Sequence, residues 1–287
     1  MTELTVVLKA REFVDVVNPT TIPVDVTAYV NKLKAVIRLE NDLGKDESGW
    51  SFEHCGKYYI CVNAKDQKER QRFTVCHEIA HIVLGLPSDH NTLPSWSYAK
   101  KSPEEIFCDI FAAELLLPYR LFKPVVDKEE ISFSTVTNLA NRFEASLSAT
   151  GSRFAMVVSA PCAFVLSERG KVKYTSRSTS LREVNAWVHP RLGLPHDSVS
   201  ERVRTGEFCN GPEEINADIW FSDWDRGGML LEEAVHLEQW DQTLTLLWFE
   251  DEEVPPLRRT GQTEEDDDWE VKELDGNLPW PGKKRRK

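Results

Sequence analysis

His77-Glu78-Ile79-Ala80-His81 sets two imidazoles four residues apart, with a carboxylate directly after the first. On an α-helix, positions four apart differ by only about 40° of rotation, so both rings leave the same face. Such a pair can hold one metal ion. A glutamate one step round is placed to take a proton from water polarised by that ion. Two imidazoles and a carboxylate suit zinc and leave a fourth position for water or substrate. The plainer reading is a helix with two incidental histidines. Phe73, Val75, Ile79, Ile82 and Val83 weigh against it, because they make the helix largely buried. Buried histidines and a buried glutamate need partners, and a metal would satisfy all three.

The helix that must carry this pentapeptide runs from about Gln67 to Leu84, with Asn63 and Asp66 as candidate caps and Gly85 and Pro87 closing it. A third ligand is required, and the next helix offers one. Ser102-Pro103-Glu104-Glu105 opens it with a capping serine, a first-turn proline and acids near the positive helix end; it stops before Pro118. Glu105 and Asp109 share one face, with Cys108 beside them. Glu105 could bind the metal while Asp109 orients a ligand histidine. Spacing alone leaves Glu104 in competition, and leaves Glu105 equally readable as a favourable first-turn acid.

The remaining elements follow from periodicity. Pro23 to about Ile37 reads as a helix, and Trp50–Glu53 and Tyr58–Val62 as a β-hairpin turning at Cys55-Gly56. Ser88–Lys101 reads as a loop, and its His90 and Tyr98 as ordinary loop residues rather than oxyanion donors. Ser134–Ala145 is expected to be helical. Phe154–Leu166, Lys171–Thr175 and Thr243–Phe249 are expected to be β-rich, with a turn at Arg169-Gly170. Glu232–Leu237 is expected on an amphipathic helix with a solvated acidic face. Leu139–Ala149 has a faint helix-turn-helix pattern, yet Arg142 and Arg153 are almost its only cations, so packing is favoured over DNA reading. His189 and His196 lack a compact metal spacing.

The 287 residues carry 35 Lys and Arg against 47 Asp and Glu, a formal charge of −12 that argues against broad nucleic-acid binding. A hydrophobic share of 41% is enough to bury a core. The texture changes near residue 150, which divides the chain into 1–150, a β-containing accessory part at 151–254 and a tail at 255–287. Between Glu250 and Asp275 there are 12 acidic and three basic residues, and Lys283–Lys287 is wholly basic. Six cysteines form no CxxC pair, and no apolar run suffices for a signal peptide or a membrane span. The expectation is a soluble, reduced, cytoplasmic protein.

Arg70-Gln71-Arg72-Phe73-Thr74-Val75-Cys76-His77-Glu78-Ile79-Ala80-His81 resembles the RQRFT-x-x-HE-x-x-H signature of the ImmA/IrrE family of zinc-dependent regulatory peptidases. Glu105 to Pro118 resembles the family's second signature, E-x-x-A-N-x-F-A-A-E-L-L-M-P, with Cys108 and Asp109 where the family often has Ala and Asn. The resemblance covers roughly Pro23 to Gly151. It implies an α+β, zincin-like metallopeptidase core, here followed by a smaller mixed α/β accessory domain and an acidic tail. It assigns zinc to His77, His81 and Glu105, in preference to Glu104, and makes Glu78 general base and then general acid. Asp109 can still accept a hydrogen bond from a ligand histidine. The implied activity is intracellular endopeptidase cleavage of a specific regulatory protein, such as a helix-turn-helix repressor, with no direct DNA or membrane partner. The rival expectations are a non-hydrolytic, metal-containing regulator that binds a repressor or DNA, and the effector half of a toxin–antitoxin or defence pair.

Overall fold

The computed structural model describes residues 1–44, 47–88, 102–190, 192–222, 224–250 and 254–255. The expected loop beyond Ser88 and the expected tail beyond Pro255 lie outside them. The amino-terminal half runs α1 (Glu3–Val17), α2 (Val26–Lys32), β1 (Val36–Glu40), β2 (Gly49–His54), β3 (Lys57–Asn63), α3 (Lys68–Leu84), α4 (Pro103–Leu116), α5 (Tyr119–Val126), α6 (Phe133–Phe143) and α7 (Leu147–Val157). The remainder runs β4 (Cys162–Glu168), β5 (Lys171–Arg177), α8 (Thr179–Glu183), α9 (Val199–Arg204), β6 (Glu213–Asn216), β7 (Met229–Leu237) and β8 (Gln242–Trp248).

β1, β3 and β2 lie side by side in that order, β1 parallel and β2 antiparallel to β3. Alternation along β3 turns Ile60 and Val62 into the core, where they join Val75 and Ile79 of α3. The β2–β3 turn is made by Cys55 at φ 51° and Gly56 at φ 71°, the pair of left-handed residues that a tight twisted hairpin needs. α3 ends on Gly85 at φ 68°, whose N–H caps the His81 carbonyl. At the other end Gln67 provides no side-chain cap; instead Asp66 pairs with Arg70 (3.1 Å) and Gln71 reaches back to the Asp66 carbonyl (2.8 Å). α4 begins as its sequence dictates, with Ser102 Oγ accepting from the Glu105 N–H (3.3 Å) and Pro103 in the first turn. α1 packs on α4 through Val6, Ala10 and Val14, a stripe at four-residue spacing.

The second sheet has the order β5-β4-β8-β7-β6, antiparallel throughout. Both faces are covered. Phe164, Leu166, Leu244, Leu246 and Trp248 join the same core as α3 and α4. Ala163, Val165 and Leu247, one residue out of phase, pack with Leu181, Val188, Trp220 and Phe221 on the other side. α7 passes through residue 150, and Gly151 sits so close to Phe164 that a Cβ there would meet the ring at 2.4 Å.

Three expectations are corrected. The helix expected over Pro23–Ile37 stops at Lys32; Lys34 turns left-handed (φ 53°), and Val36-Ile37 pairs with Tyr59-Ile60 as strand. Phe154–Val157 is the last turn of α7 rather than strand, and β4 starts at Cys162. Glu232–Leu237 is strand, paired along β8 and, at Glu232, with β6 on the other side, and Glu232 is buried rather than solvated. The faint helix-turn-helix pattern is a real α6–turn–α7, with Glu144 left-handed between the helices. Its Arg153 is buried, so that cation faces the core.

Candidate metal centre

α3 and α4 pack against each other and present their polar residues to one point. The Nε2 atoms of His77 and His81 are 3.1 Å apart. The Glu105 carboxylate meets both, Oε2 at 3.2 Å from His77 Nε2 and Oε1 at 3.5 Å from His81 Nε2. Asp109, one helical turn after Glu105, lies 3.0 Å from the other nitrogen of His77, Nδ1. Glu104 is exposed on the helix's outer side. Cys108 is fully buried, and its sulfur and one ring nitrogen from each histidine all lie within 4.8 Å of one another.

Glu78 is only 4% exposed, and its Oε2 accepts from Ser51 Oγ (2.8 Å) and Ser88 Oγ (2.9 Å). Ser88 Oγ also accepts from the backbone N–H of Ser51 (3.2 Å), tying the end of the α3 segment to β2. Neither serine was singled out from the sequence. Ser51 is 27 residues before Glu78 and on another element, and only the β2–β3 register brings its side chain to α3. His189 accepts from Trp187 and His196 pairs with Asp197 at the surface, both away from this cluster. His90 and Tyr98 lie outside the described residues.

The electrostatics of these side chains are set by burial and by their mutual contacts. Burial disfavours a charged His77, but hydrogen bonds to Asp109 and Glu105 outweigh it and raise its pKa to about 10. His81 is pushed the other way, first by burial and then by the charge on His77. Burial would raise Glu105, yet its contact with His77 leaves it below its ordinary value. Oxygens of Glu105 and Asp109 thus stand within 3.2 Å and 3.0 Å of Nε2 and Nδ1 of His77, and Nε2 lies where the histidines and Glu105 converge. A divalent cation there would answer the same charge, leaving Asp109 to hold the Nδ1–H. The residues fit a metal.

Comparison with known proteins follows the same lines. Residues 30–155 match the family described as IrrE N-terminal-like domain, a peptidase family. Over 117 residues the chain is 29% identical to the radiation response metalloprotease IrrE of Deinococcus deserti, covering 40% of each protein. Over 109 residues it is 28% identical to the protein of that name from Deinococcus radiodurans, covering 37% of this chain and 32% of the relative. The chain therefore matches less than half the length of these relatives. A solved structure, a Mycobacterium tuberculosis transcriptional regulator, superposes with a TM-score of 0.57 at 12% identity, over 85% of this chain and 75% of the other. That likeness is one of fold, and it extends past residue 155. Among the described residues no helix is long and apolar enough to cross a membrane.

Proposed function

We propose, on the premise that residues 30–155 belong to the ImmA/IrrE family of metallopeptidases, that this chain is a cytoplasmic zinc endopeptidase that cleaves one regulatory protein. The observation that carries the reading is the convergence of His77 Nε2, His81 Nε2 and the Glu105 carboxylate beside the buried Glu78. His77, His81 and Glu105 would hold the metal, and zinc suits two imidazoles and a carboxylate. Bound zinc supplies Lewis-acid polarisation of water and of the peptide carbonyl.

The other steps belong to this chain's own residues. Glu78 takes the proton of the attacking water and returns it to the leaving nitrogen. Ser51 and Ser88 both bond Oε2 of Glu78, which fixes the carboxylate on the side of β2. Asp109 holds His77 by its Nδ1–H and keeps Nε2 for the metal. The division carried forward as a proposal is a metallopeptidase part at 1–150, a β-containing accessory part at 151–254 and a charged tail at 255–287. The target class is a helix-turn-helix transcription regulator, which the narrow specificity expected of a peptidase in cytoplasm would suit.

The test incubates the zinc-loaded chain, and Glu78→Gln, with helix-turn-helix regulators from the same genome, and identifies fragments by mass spectrometry. One regulator cut at one bond by the wild type and left intact by Glu78→Gln is the expected result. A regulator bound by both proteins and cut by neither would replace this reading with the non-hydrolytic one.

A further inference from the structure

Ser88 makes two contacts that the proposed reaction needs for itself. Its Oγ donates to Glu78 Oε2 (2.9 Å) and accepts from the Ser51 backbone N–H (3.2 Å). Ser51 Oγ donates to the same Oε2 (2.8 Å). A carboxylate oxygen has two lone pairs, so both of those on Oε2 are taken. β2 is the outer strand in the order β1-β3-β2. The Asn63 N–H donates to the Ser48 carbonyl at 2.8 Å, and bonded pairs alternate along an antiparallel ladder. Trp50 and Phe52 therefore bond to β3, while the N–H of Ser51, opposite Ile60, faces away from the sheet. An outward N–H of this kind is what the carbonyl of an extended peptide meets when it adds to a sheet edge. Ser88 Oγ holds that donor and the general base at once.

We propose that the Ser88 hydroxyl is a built-in competitor of the substrate: at rest it stands in for a peptide carbonyl at the Ser51 N–H and for the attacking water at Glu78. The inference rests on the metallopeptidase reading above. The hydroxyl gives its one proton to Glu78 and a lone pair to Ser51, the pattern that water and a peptide carbonyl divide between them. Rotation about the Cα–Cβ bond of Ser88 breaks both contacts and leaves the backbone where it is. Ser51 Oγ then holds Glu78 alone, and one lone pair of Oε2 is open to water. The two serines, alike in the resting structure, have opposite parts: Ser51 positions the carboxylate and Ser88 competes for it. Only an occupant that brings an acceptor to Ser51 and a donor to Glu78 replaces both bonds. That favours an extended peptide together with water over either one alone.

Two measurements on the full chain test this. In the metal-free protein, amide hydrogen exchange at Ser51, read by NMR, should be about tenfold faster in Ser88→Ala than in wild type, the effect of one lost hydrogen bond. Equal exchange would overturn the inference by removing the contact it starts from. The zinc-loaded protein is then titrated with a mixture of randomised acetyl-tripeptide hydroxamates, which join a metal-binding end to an extended backbone. Half-saturation should come at an about tenfold lower concentration in Ser88→Ala, while Ser88→Thr, which keeps the hydroxyl, should stay within about twofold of wild type. Equal or weaker binding by Ser88→Ala, with wild type binding the mixture, would overturn the inference and leave the metallopeptidase reading standing. Ser88→Thr binding as tightly as Ser88→Ala would overturn it by assigning the gain to something besides the hydroxyl. Zinc-loaded proteins that all refuse the mixture would overturn it as well, because loss of the hydroxyl would then open nothing. A chain that takes up no zinc would overturn both the inference and the site beneath it. Should Ser88→Ala fail to fold, Ser88→Gly takes its place in both measurements.

Discussion

Replacing Arg153 by methionine tests how α4 is tied to α7. Arg153 on α7 is 6% exposed and Glu114 on α4 is 1% exposed. The guanidinium donates to Glu114 Oε2 (2.5 Å) and to the Leu117 carbonyl (3.1 Å), while the Tyr119 N–H donates to Glu114 Oε1 (2.8 Å). Methionine keeps most of the volume but leaves a buried carboxylate without its main partner. Breaking a buried pair from one side costs about 3–5 kcal/mol. Arg11 also reaches Glu114, at 3.4 Å, but its side chain is 41% exposed and solvent screens it. It should retain some of the interaction, so a loss of about 3 kcal/mol is expected. At roughly 2–4 °C per kcal/mol for a protein of this size class, Tm should fall by about 6–12 °C. Urea unfolding should show a lower midpoint with an unchanged m-value. Adding Glu114→Gln to Arg153→Met removes the stranded charge but keeps an acceptor for Tyr119, and should recover at least half of the loss. A single variant within about 0.5 kcal/mol of wild type would refute the claim that this pair fastens α4 to α7.

Three further outcomes follow from particular contacts. Asp109→Ala removes the partner of His77 Nδ1 and should weaken zinc binding by about 10–100-fold, or about 1.4–2.7 kcal/mol; an unchanged chelator-competition curve would count against the orienting role. Burial pushes the Glu232 carboxyl up, only partly offset by donors from Ser200 and Trp220, so the native state holds that proton more tightly than the unfolded chain. Stability should therefore fall as pH rises from the ordinary carboxylate range through the raised value, and Glu232→Gln should flatten that fall in urea titrations at increasing pH; identical slopes would contradict it. Gly→Ala inside a helix ordinarily gains about 1 kcal/mol, but Gly151→Ala should lose about 1–3 kcal/mol because its Cβ meets the Phe164 ring; a raised Tm would show that the ring moves aside.

What the sequence makes legible is whatever is fixed locally. The helix carrying His77 and His81 is framed by its own punctuation, Gly85 at one end, and α4 by Ser102-Pro103, so both sets of side chains could be placed on faces before any fold was known. What stayed hidden depends on pairing. Leu33 and Val36 continue the phase of α2, and only the parallel partnership of β1 with β3 shows that the chain has left the helix. Glu232-Glu233-Ala234-Val235 suits an amphipathic helix equally well, and becomes strand because it pairs along β8. Glu232 is then satisfied by Ser200, 32 residues earlier, and by Trp220, partners that no local pattern announces. Ser51 reaches Glu78 for the same reason, from the edge strand of a sheet.

The central claim is that α3 and α4 together hold a metal, and elemental mass spectrometry of the protein purified without added metal tests it most directly. Wild type should carry about one zinc per chain, and His81→Ala, prepared identically, well under half of that. A wild type that arrives without metal and refuses added zinc would contradict the account. The convergence of His77, His81 and Glu105 would then be only a buried network of hydrogen bonds.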